Sequence, residues 1–408
     1  MAGAHLSGAQ LWQRFNCRLC GSAELVKVFE LPDTPAANAF AATKATAQAL
    51  PKYPLAVNYC NSCHHSQLTH VVDPEELFSG YAYMTGANPV LKGHFTALAR
   101  TLVERLPNMP TVLELGSNDG TFLQAVKERG AYVVGVEPGK YLAGLSRDKG
   151  IPTFNDFFTA DTAEKVTREH GVVDAWVATN VFAHIDQLGE TLLALRHCSG
   201  PNTIGCVEVQ SLDVLLEQGL FDMVYHEHLD YHWWLPFAKG VIPAGWGMTA
   251  VENIPTHGGS LRFWLKPTSE EAPSIVVGGL PLAMNQSVRW RDLGAKVEAS
   301  ARRLKEKLAP FHRVACFGAP AKLTTLLYGL RLTDESVLDY VVDDAPSKQG
   351  RFTPGMGLPI YPTTVLKDAA FTPDAILITA WNYAADIRAK LVAAGLGHIP
   401  TIVPFGEP

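Results

Sequence analysis

No stretch of about 18 consecutive apolar residues occurs in this chain, so no membrane-spanning helix is expected. The opening MAGAHLSGAQLWQRF lacks the charged-then-apolar layout of a secretory leader, and a cytoplasmic location is expected. Charge is sparse: 34 Lys and Arg against 40 Asp and Glu give a net charge of −6, with no basic block to follow a phosphate backbone. Nucleic acid and membrane are therefore poor partners. The balance of 47% hydrophobic to 18% charged residues excludes intrinsic disorder. Seven cysteines is an odd number, and four of them form two short-spaced pairs, a pattern of metal ligation in a reducing compartment rather than of disulfides. Cys198, Cys206 and Cys316 lie in or beside apolar runs and read as core.

A chain of 408 residues exceeds what one hydrophobic core organises, so two or three domains are expected. Residues 1–75 carry short apolar runs broken by proline, too loop-rich to hold together without a staple. Residues 76–285 open with a helical pattern and then alternate apolar strands (TVLELG, YVVGVE, DAWVATN, TIGCVEV) with helix-length intervals. That alternation predicts an α/β unit with a parallel sheet covered on both faces. Residues 286–408 repeat it with RVACFGAP, LDYVVDDAP, DAILITAWN and PTIVPF, a second α/β unit.

Cys17 with Cys20, and Cys60 with Cys63, make two C-x-x-C knuckles, which together complete a tetrahedral zinc shell. With no open coordination position, such a zinc is structural. His64 and His65 follow the second knuckle and are alternative ligands. VLELGSNDGTFL reads as a strand, a glycine turn and a helix start, where small residues let a ligand approach helix N–H groups. Its spacing fits neither the dinucleotide nor the P-loop pattern, and no lysine is there to meet a triphosphate. The turn resembles motif I of class I S-adenosylmethionine methyltransferases, and Glu114, Gly116, Asn118, Asp119 and Gly120 are the cofactor candidates. Glu137 ends the next strand, where it can accept both ribose hydroxyls, as it also would in an NAD-binding fold. Asn180 ends a later strand and His184 follows it; both join the cofactor set, although Asn180 equally suits a helix cap.

VYHEHLDYHWW, residues 224–234, has neither a helical nor a strand period, so packing alone does not explain it. His226 and His228 share a face only in an extended chain, the condition for an iron-type site of two histidines and a carboxylate. An acid/base site or a structural loop are the other readings.

Taken together, CRLCGS, YCNSCHHSQL, LELGSNDGTFL, NVFAHI, YHEH, HGGSLRF, FGAPAKLTTLLYG, VDDAPSKQGRFTPGMGLPI and AWNY resemble, in order and over nearly the whole chain, the sugar C-methyltransferases of nucleotide-linked 4-keto deoxysugars. The resemblance implies a zinc-binding N-terminal module, a central class I methyltransferase domain of Rossmann-like fold, and a C-terminal Rossmann-like α/β domain that closes the acceptor cleft. It also implies chemistry at carbon, in which a base removes the hydrogen next to a ketone and the enediolate takes the methyl of S-adenosylmethionine. On that basis His228 is the base, Glu227 its hydrogen-bonding partner, and Tyr225 and His226 a polar wall. Tyr81 and Tyr83 are expected to donate to the enolate oxygen; His257, beside Gly258 and Gly259, and Arg262 to meet the acceptor; and Lys322, Lys348 and Arg351 to meet a diphosphate.

Two departures from the family pattern, MTGANP after the tyrosines and LDYHWW after HEH, predict a changed acceptor pocket walled by Trp233 and Trp234. The expected partner is a small-molecule acceptor, and the expected assembly a monomer or small homo-oligomer. An O- or N-methyltransferase, a methyltransferase of a non-sugar carbon acid, and a non-catalytic zinc-module binding protein are the competing functions.

Overall fold

The computed structural model describes residues 11–78, 84–87, 89–268, 276–277, 286–333 and 337–405; Tyr81 and Tyr83 lie outside them. The N-terminal part contributes β1 (Leu11–Gln13), β2 (Leu25–Thr34), β3 (Tyr53–Cys60), β4 (Ser66–Leu68) and β5 (His70–Val72), with β2, β3 and β4 antiparallel and β1 on β5. Its two cysteine knuckles close alike. Gly21 and His64 each adopt a positive φ (74° and 70°) and donate their N–H to the carbonyl of Cys17 and Cys60 respectively. Glycine is free to do this, whereas the His64 ring is held by Tyr59 at 2.7 Å. The four sulfurs gather within 4.8 Å, with Cys17 to Cys63 at 3.6 Å and Cys20 to Cys60 at 3.7 Å. A tetrahedron with Zn–S bonds of about 2.3 Å has an edge of about 3.8 Å, so the donor set fits zinc without rearrangement.

The central sheet is built from β6 (Thr111–Leu115), β7 (Tyr132–Val136), β8 (Thr153–Phe154), β9 (Val173–Thr179), β10 (Ser199–Gln210), β12 (Trp246–Ile254), β13 (Ser260–Pro267) and β14 (Val276–Val277); β11 (Asp230–Tyr231) belongs elsewhere. The strand order is β14-β12-β13-β10-β9-β6-β7-β8. The strands from β10 to β8 are parallel as the alternation predicts, but β13 runs antiparallel to both its neighbours. The link from Ile254 to Ser260 is too short for a helical crossover, which a parallel pair would need. Chain direction away from the centre switches between β6 and β9, which opens a crevice at their carboxyl ends. Helix Pro89–Val103 covers one face, burying Leu91, Phe95, Leu98 and Leu102 at helical spacing. The C-terminal unit is a second parallel sheet: β15 (Val314–Phe317), β16 (Leu338–Val342), β17 (Ile360–Tyr361), β18 (Ala375–Ile378) and β19 (Thr401–Ile402), in the order β17-β16-β15-β18-β19.

The three parts interlock. β11, from the middle of the chain, pairs antiparallel with β4 and so becomes the fourth strand of the N-terminal sheet. His65 Nε2 meets Asp230 Oδ1 at 2.6 Å, both side chains buried, and Arg18 Nε donates to Asp186 at 2.9 Å. Trp233 donates to the His64 carbonyl at 3.2 Å and stands edge-on to Trp234. Both tryptophans are thus buried in this joint, so the LDYHWW departure reshapes the seat of the N-terminal module rather than adding the open aromatic wall expected of it. Helix Gln286–Leu308 ties in the C-terminal unit, with the Trp290 ring tilted against Phe29 at 5.5 Å and its Nε1 donating to Ser66 at 2.9 Å. Cys198, Cys206 and Cys316 are fully buried, as core cysteines should be.

Two measurements test this joint. Cys60→Ser is expected to lose the bound zinc equivalent by elemental analysis and to melt roughly 5 °C or more below the parent protein; a metal-free variant with an unchanged melt contradicts a structural role. Burial holds the rings of His226 and His232 down at about 4. Unfolded histidine titrates near 6.5, so the unfolded chain takes up protons first and the stability present above that pH is lost as it falls toward 4, on the order of 3 kcal/mol per ring. The urea midpoint should therefore drop between pH 7 and pH 5, and a flat profile contradicts neutral burial.

Candidate active site

At the end of β6 the chain makes the close turn that its glycines require. Gly116 (φ 59°) leaves no room for a Cβ, which would fall 2.6 Å from Val181 in the loop after β9, and at Gly120 (φ 75°) a Cβ would strike Ser146. Asn118 takes a positive φ and donates its N–H to Glu137 Oε2 at 2.9 Å, while Gly139 N–H donates to Oε1 at 2.8 Å. Burial raises the Glu137 carboxyl and these two bonds oppose it. Each oxygen keeps a lone pair for a ligand hydroxyl. Glu114 is buried with Oε2 lacking any partner, and burial first, then Glu137 and Asp119, push its carboxyl well up. A buried carboxyl with an orphaned oxygen is costly alone and is relieved by a cationic ligand, so the turn fits a molecule carrying an ammonium and a sulfonium.

Asp119 is held by Thr121 at 2.7 Å and by Lys149 at 3.3 Å. Thr85 N–H donates to Asn118 at 3.0 Å and Gly86 N–H to Asp119 at 3.3 Å. The MTG stretch therefore rests on the glycine turn, which places that departure at the cofactor side of the cleft. Asn180 (φ 58°) bonds its N–H to the Glu208 carbonyl at 2.8 Å, beside the Val181 that meets Gly116. Val181, not Asn180, precedes the short helix Phe182–His184 as its cap.

His228 lies in an irregular turn beside His184, which follows the loop at the end of β9. Its Nδ1 is 2.9 Å from the Met223 carbonyl and its Nε2 2.8 Å from the Tyr225 hydroxyl. A carbonyl only accepts, so Nδ1 carries the proton and Nε2 presents a lone pair to the tyrosine O–H. Burial, with His184 next, drives the imidazole well below its usual range against the pull of Met223. His184 stacks on Phe78 (5.5 Å, 14°) and stands 5.2 Å from the His228 ring, itself lowered to about 4 by burial. It thus neighbours His228, the candidate base.

Glu227 does not hold His228, contrary to the pairing expected from sequence. It accepts from Asn38 Nδ2 at 2.7 Å, leaves Oε2 buried without a partner, and is raised to about 7 by burial. The histidine is oriented by a backbone carbonyl instead, because consecutive side chains in this turn leave on different sides. His226 turns to the N-terminal sheet, edge-on to Tyr53 and 3.3 Å from its carbonyl.

The remaining candidates lie on β13, in the turn before it and in the C-terminal unit. Arg262 is committed: it donates to Glu208 at 2.6 Å and Glu252 at 3.0 Å, which removes it from the anion-binding role expected of it. Glu208 also meets His94 at 2.7 Å; burial would raise the carboxyl, but His94 and Arg262 outweigh it and hold it low. Asn38 and His94 were not singled out in the sequence, since one sits in a proline-broken loop and the other on an ordinary amphipathic helix. His257 (φ 54°) is lowered to about 4 by burial and then by Lys322. Lys322 lies 3.8 Å from Asp222, and Lys348 donates to the Ala319 carbonyl at 2.8 Å. Arg351 is exposed and reaches the Phe40 carbonyl at 3.4 Å.

Comparison with known proteins agrees with this layout. Family models match a zinc-binding domain over residues 17–78, a methyltransferase domain over 91–244 and a C-methyltransferase C-terminal domain over 255–404. The C-methyltransferase NovU of Streptomyces niveus is 30% identical over 411 residues, covering 96% of each chain. Among solved structures, the magnesium protoporphyrin IX methyltransferase of Synechocystis PCC 6803 is 12% identical with a TM-score of 0.33, spanning 43% of this chain and 79% of that one. A methyltransferase from Anabaena variabilis is 12% identical with a TM-score of 0.37, spanning 46% and 88%. Similarity to NovU over nearly the whole chain, a four-cysteine cluster and an acidic glycine turn at the switch point make one conclusion: the chain belongs to the C-methyltransferase family and is an S-adenosylmethionine-dependent methyltransferase with a zinc-binding N-terminal module.

Proposed function

We propose that this enzyme methylates the carbon next to the ketone of a nucleotide-linked keto deoxysugar. One observation carries the reading: a buried, neutral imidazole whose Nδ1 proton is fixed by Met223 and whose Nε2 lone pair meets a tyrosine hydroxyl. An oxygen acceptor needs little more than orientation, whereas a carbon acceptor needs a base at the C–H bond and a donor at the incipient enolate oxygen. S-adenosylmethionine, held by Glu114, the Gly116–Gly120 turn and Glu137, supplies an electrophilic methyl group when bound. His228 Nε2 takes the C–H proton; the electron pair of that bond forms the enolate C=C while the carbonyl π pair moves onto the ketone oxygen, which leaves the carbon nucleophilic toward the methyl group. The acceptor displaces Tyr225 from Nε2, which frees its O–H to donate to that oxygen. With Arg262 and Lys322 committed to carboxylates, Lys348 and Arg351 are left as the cations for a diphosphate, and the sequence motifs that resemble sugar C-methyltransferases support a sugar acceptor.

In heavy water, without methyl donor, the enzyme is expected to exchange the acceptor's C–H of a nucleoside-diphosphate-linked 4-keto dideoxyhexose. His228→Asn should slow that exchange by about 100-fold or more, and Tyr225→Phe by about 10-fold. Methyl transfer from an enzyme that never exchanges the C–H would place the methyl on oxygen or nitrogen and reject the reading. Glu114→Gln removes the charge facing the ligand cation and should weaken S-adenosylmethionine binding about 10-fold, roughly 1.4 kcal/mol, by calorimetry. Unchanged affinity would remove Glu114 from the cofactor set.

A further inference from the structure

The carbonyl that orients His228 closes the short helix Phe221–Met223, so the rigidity of that helix decides where Nε2 points. The residue just before it, Asp222, is fully buried (0% exposed), and no step above uses it. Among the described residues, the two side chains that reach its carboxylate come from the C-terminal unit. Trp381 Nε1 donates to Oδ2 at 2.6 Å, and Lys322 Nζ stands 3.8 Å from the same oxygen. Lys322 also lies 3.7 Å from the centre of the Trp381 ring, which closes a triangle of carboxylate, ammonium and indole. The same indole fills the space beside Gly258, where a Cβ would come within 3.3 Å, next to the turn that carries His257.

Adhesion alone does not call for this triangle. Phe405 already joins the units, edge-on to Trp381 at 5.2 Å and to Phe221 at 5.5 Å. Burying the ions costs free energy that hydrophobic contact would not, and Asp222 Oδ1 is left without a partner. Apolar rings permit sliding; the Trp381 N–H fixes a direction.

We propose that Trp381 is a positioning residue: with Lys322 it pins Asp222, and through the adjoining Met223 carbonyl the C-terminal unit fixes the tautomer of His228 and the aim of its Nε2 lone pair. The catalytic consequence rests on His228 being the base, whereas the positioning is read on the imidazole itself. Tyr225, His184, His257 and Lys322 face or act on that ring, and burial with the nearby cation keeps it unprotonated.

The test uses the full chain labelled with 15N-histidine, the His228 signals being those that vanish in His228→Asn. The parent protein should show one tautomer, protonated at Nδ1 and bare at Nε2, unchanged from pH 8 to pH 6. Trp381→Phe keeps the ring against Lys322 but removes the N–H, and is expected to lose the single-tautomer signature and to lower kcat while leaving KM for S-adenosylmethionine unchanged. Asp222→Asn preserves shape but cannot hold Lys322, and should lose the signature too; it decides the matter if Trp381→Phe fails to fold. Retention of the parent signature by the folded variants overturns the proposal. Loss of the signature, together with undiminished C–H exchange by His228→Asn, upholds the positioning and removes His228 as the base.

Discussion

The proposed chemistry depends on one hydrogen bond: the Nδ1 proton of His228 on the Met223 carbonyl. A neutral imidazole has a single proton to place, and a carbonyl can only accept it, so the bond decides which nitrogen is basic. Burial then keeps the ring neutral, because a charged imidazolium would forfeit its hydration with no carboxylate beside it in exchange. Had Glu227 been that partner, the ring would be more basic and would rest protonated more readily. Pairing Glu227 with Asn38 keeps the negative charge out of contact with the ring.

The same economy governs the two ligand sites. Glu114 and Glu137 sit together at the carboxyl ends of neighbouring strands, and their shared burial is unfavourable until a cation arrives. The thiolates of the N-terminal module share that character, being four donors whose spacing suits a dication better than each other. Neither site lies on an isolated domain. The strand that follows the His228 turn is hydrogen-bonded into the N-terminal sheet, so the cysteine cluster and His228 sit on one connected scaffold.

Much of the fold was legible because strands separated by helix-length intervals leave few arrangements: β6, β7, β9 and β10 lie where their apolar runs predicted, and so do β15, β16, β18 and β19. The glycine turn and the cysteine knuckles were legible because their spacing is itself geometric. The antiparallel strands at the sheet edge were not, since alternation does not reveal a tight turn whose φ values are positive at His257, Gly258 and Gly259. Side-chain partnerships were the least legible. YHEH announces titratable groups, but nothing local says that His226 leaves toward Tyr53, Glu227 toward Asn38 and His228 toward a backbone carbonyl. Those choices are made by residues about 170 to 190 positions away, or by a carbonyl, which carries no sequence signature. Arg262 likewise reads as a free cation until Glu208 and Glu252 are seen beside it.

The proposed chemistry comes to a single distance, from His228 Nε2 to the acceptor carbon that receives the methyl group. A crystal structure of the full chain with S-adenosylhomocysteine and a nucleotide-linked keto deoxysugar measures it directly. The account predicts Nε2 within about 3.5 Å of that carbon, with the ring still bonded to Met223. A ring turned away, or an acceptor oxygen lying where the carbon should be, contradicts it.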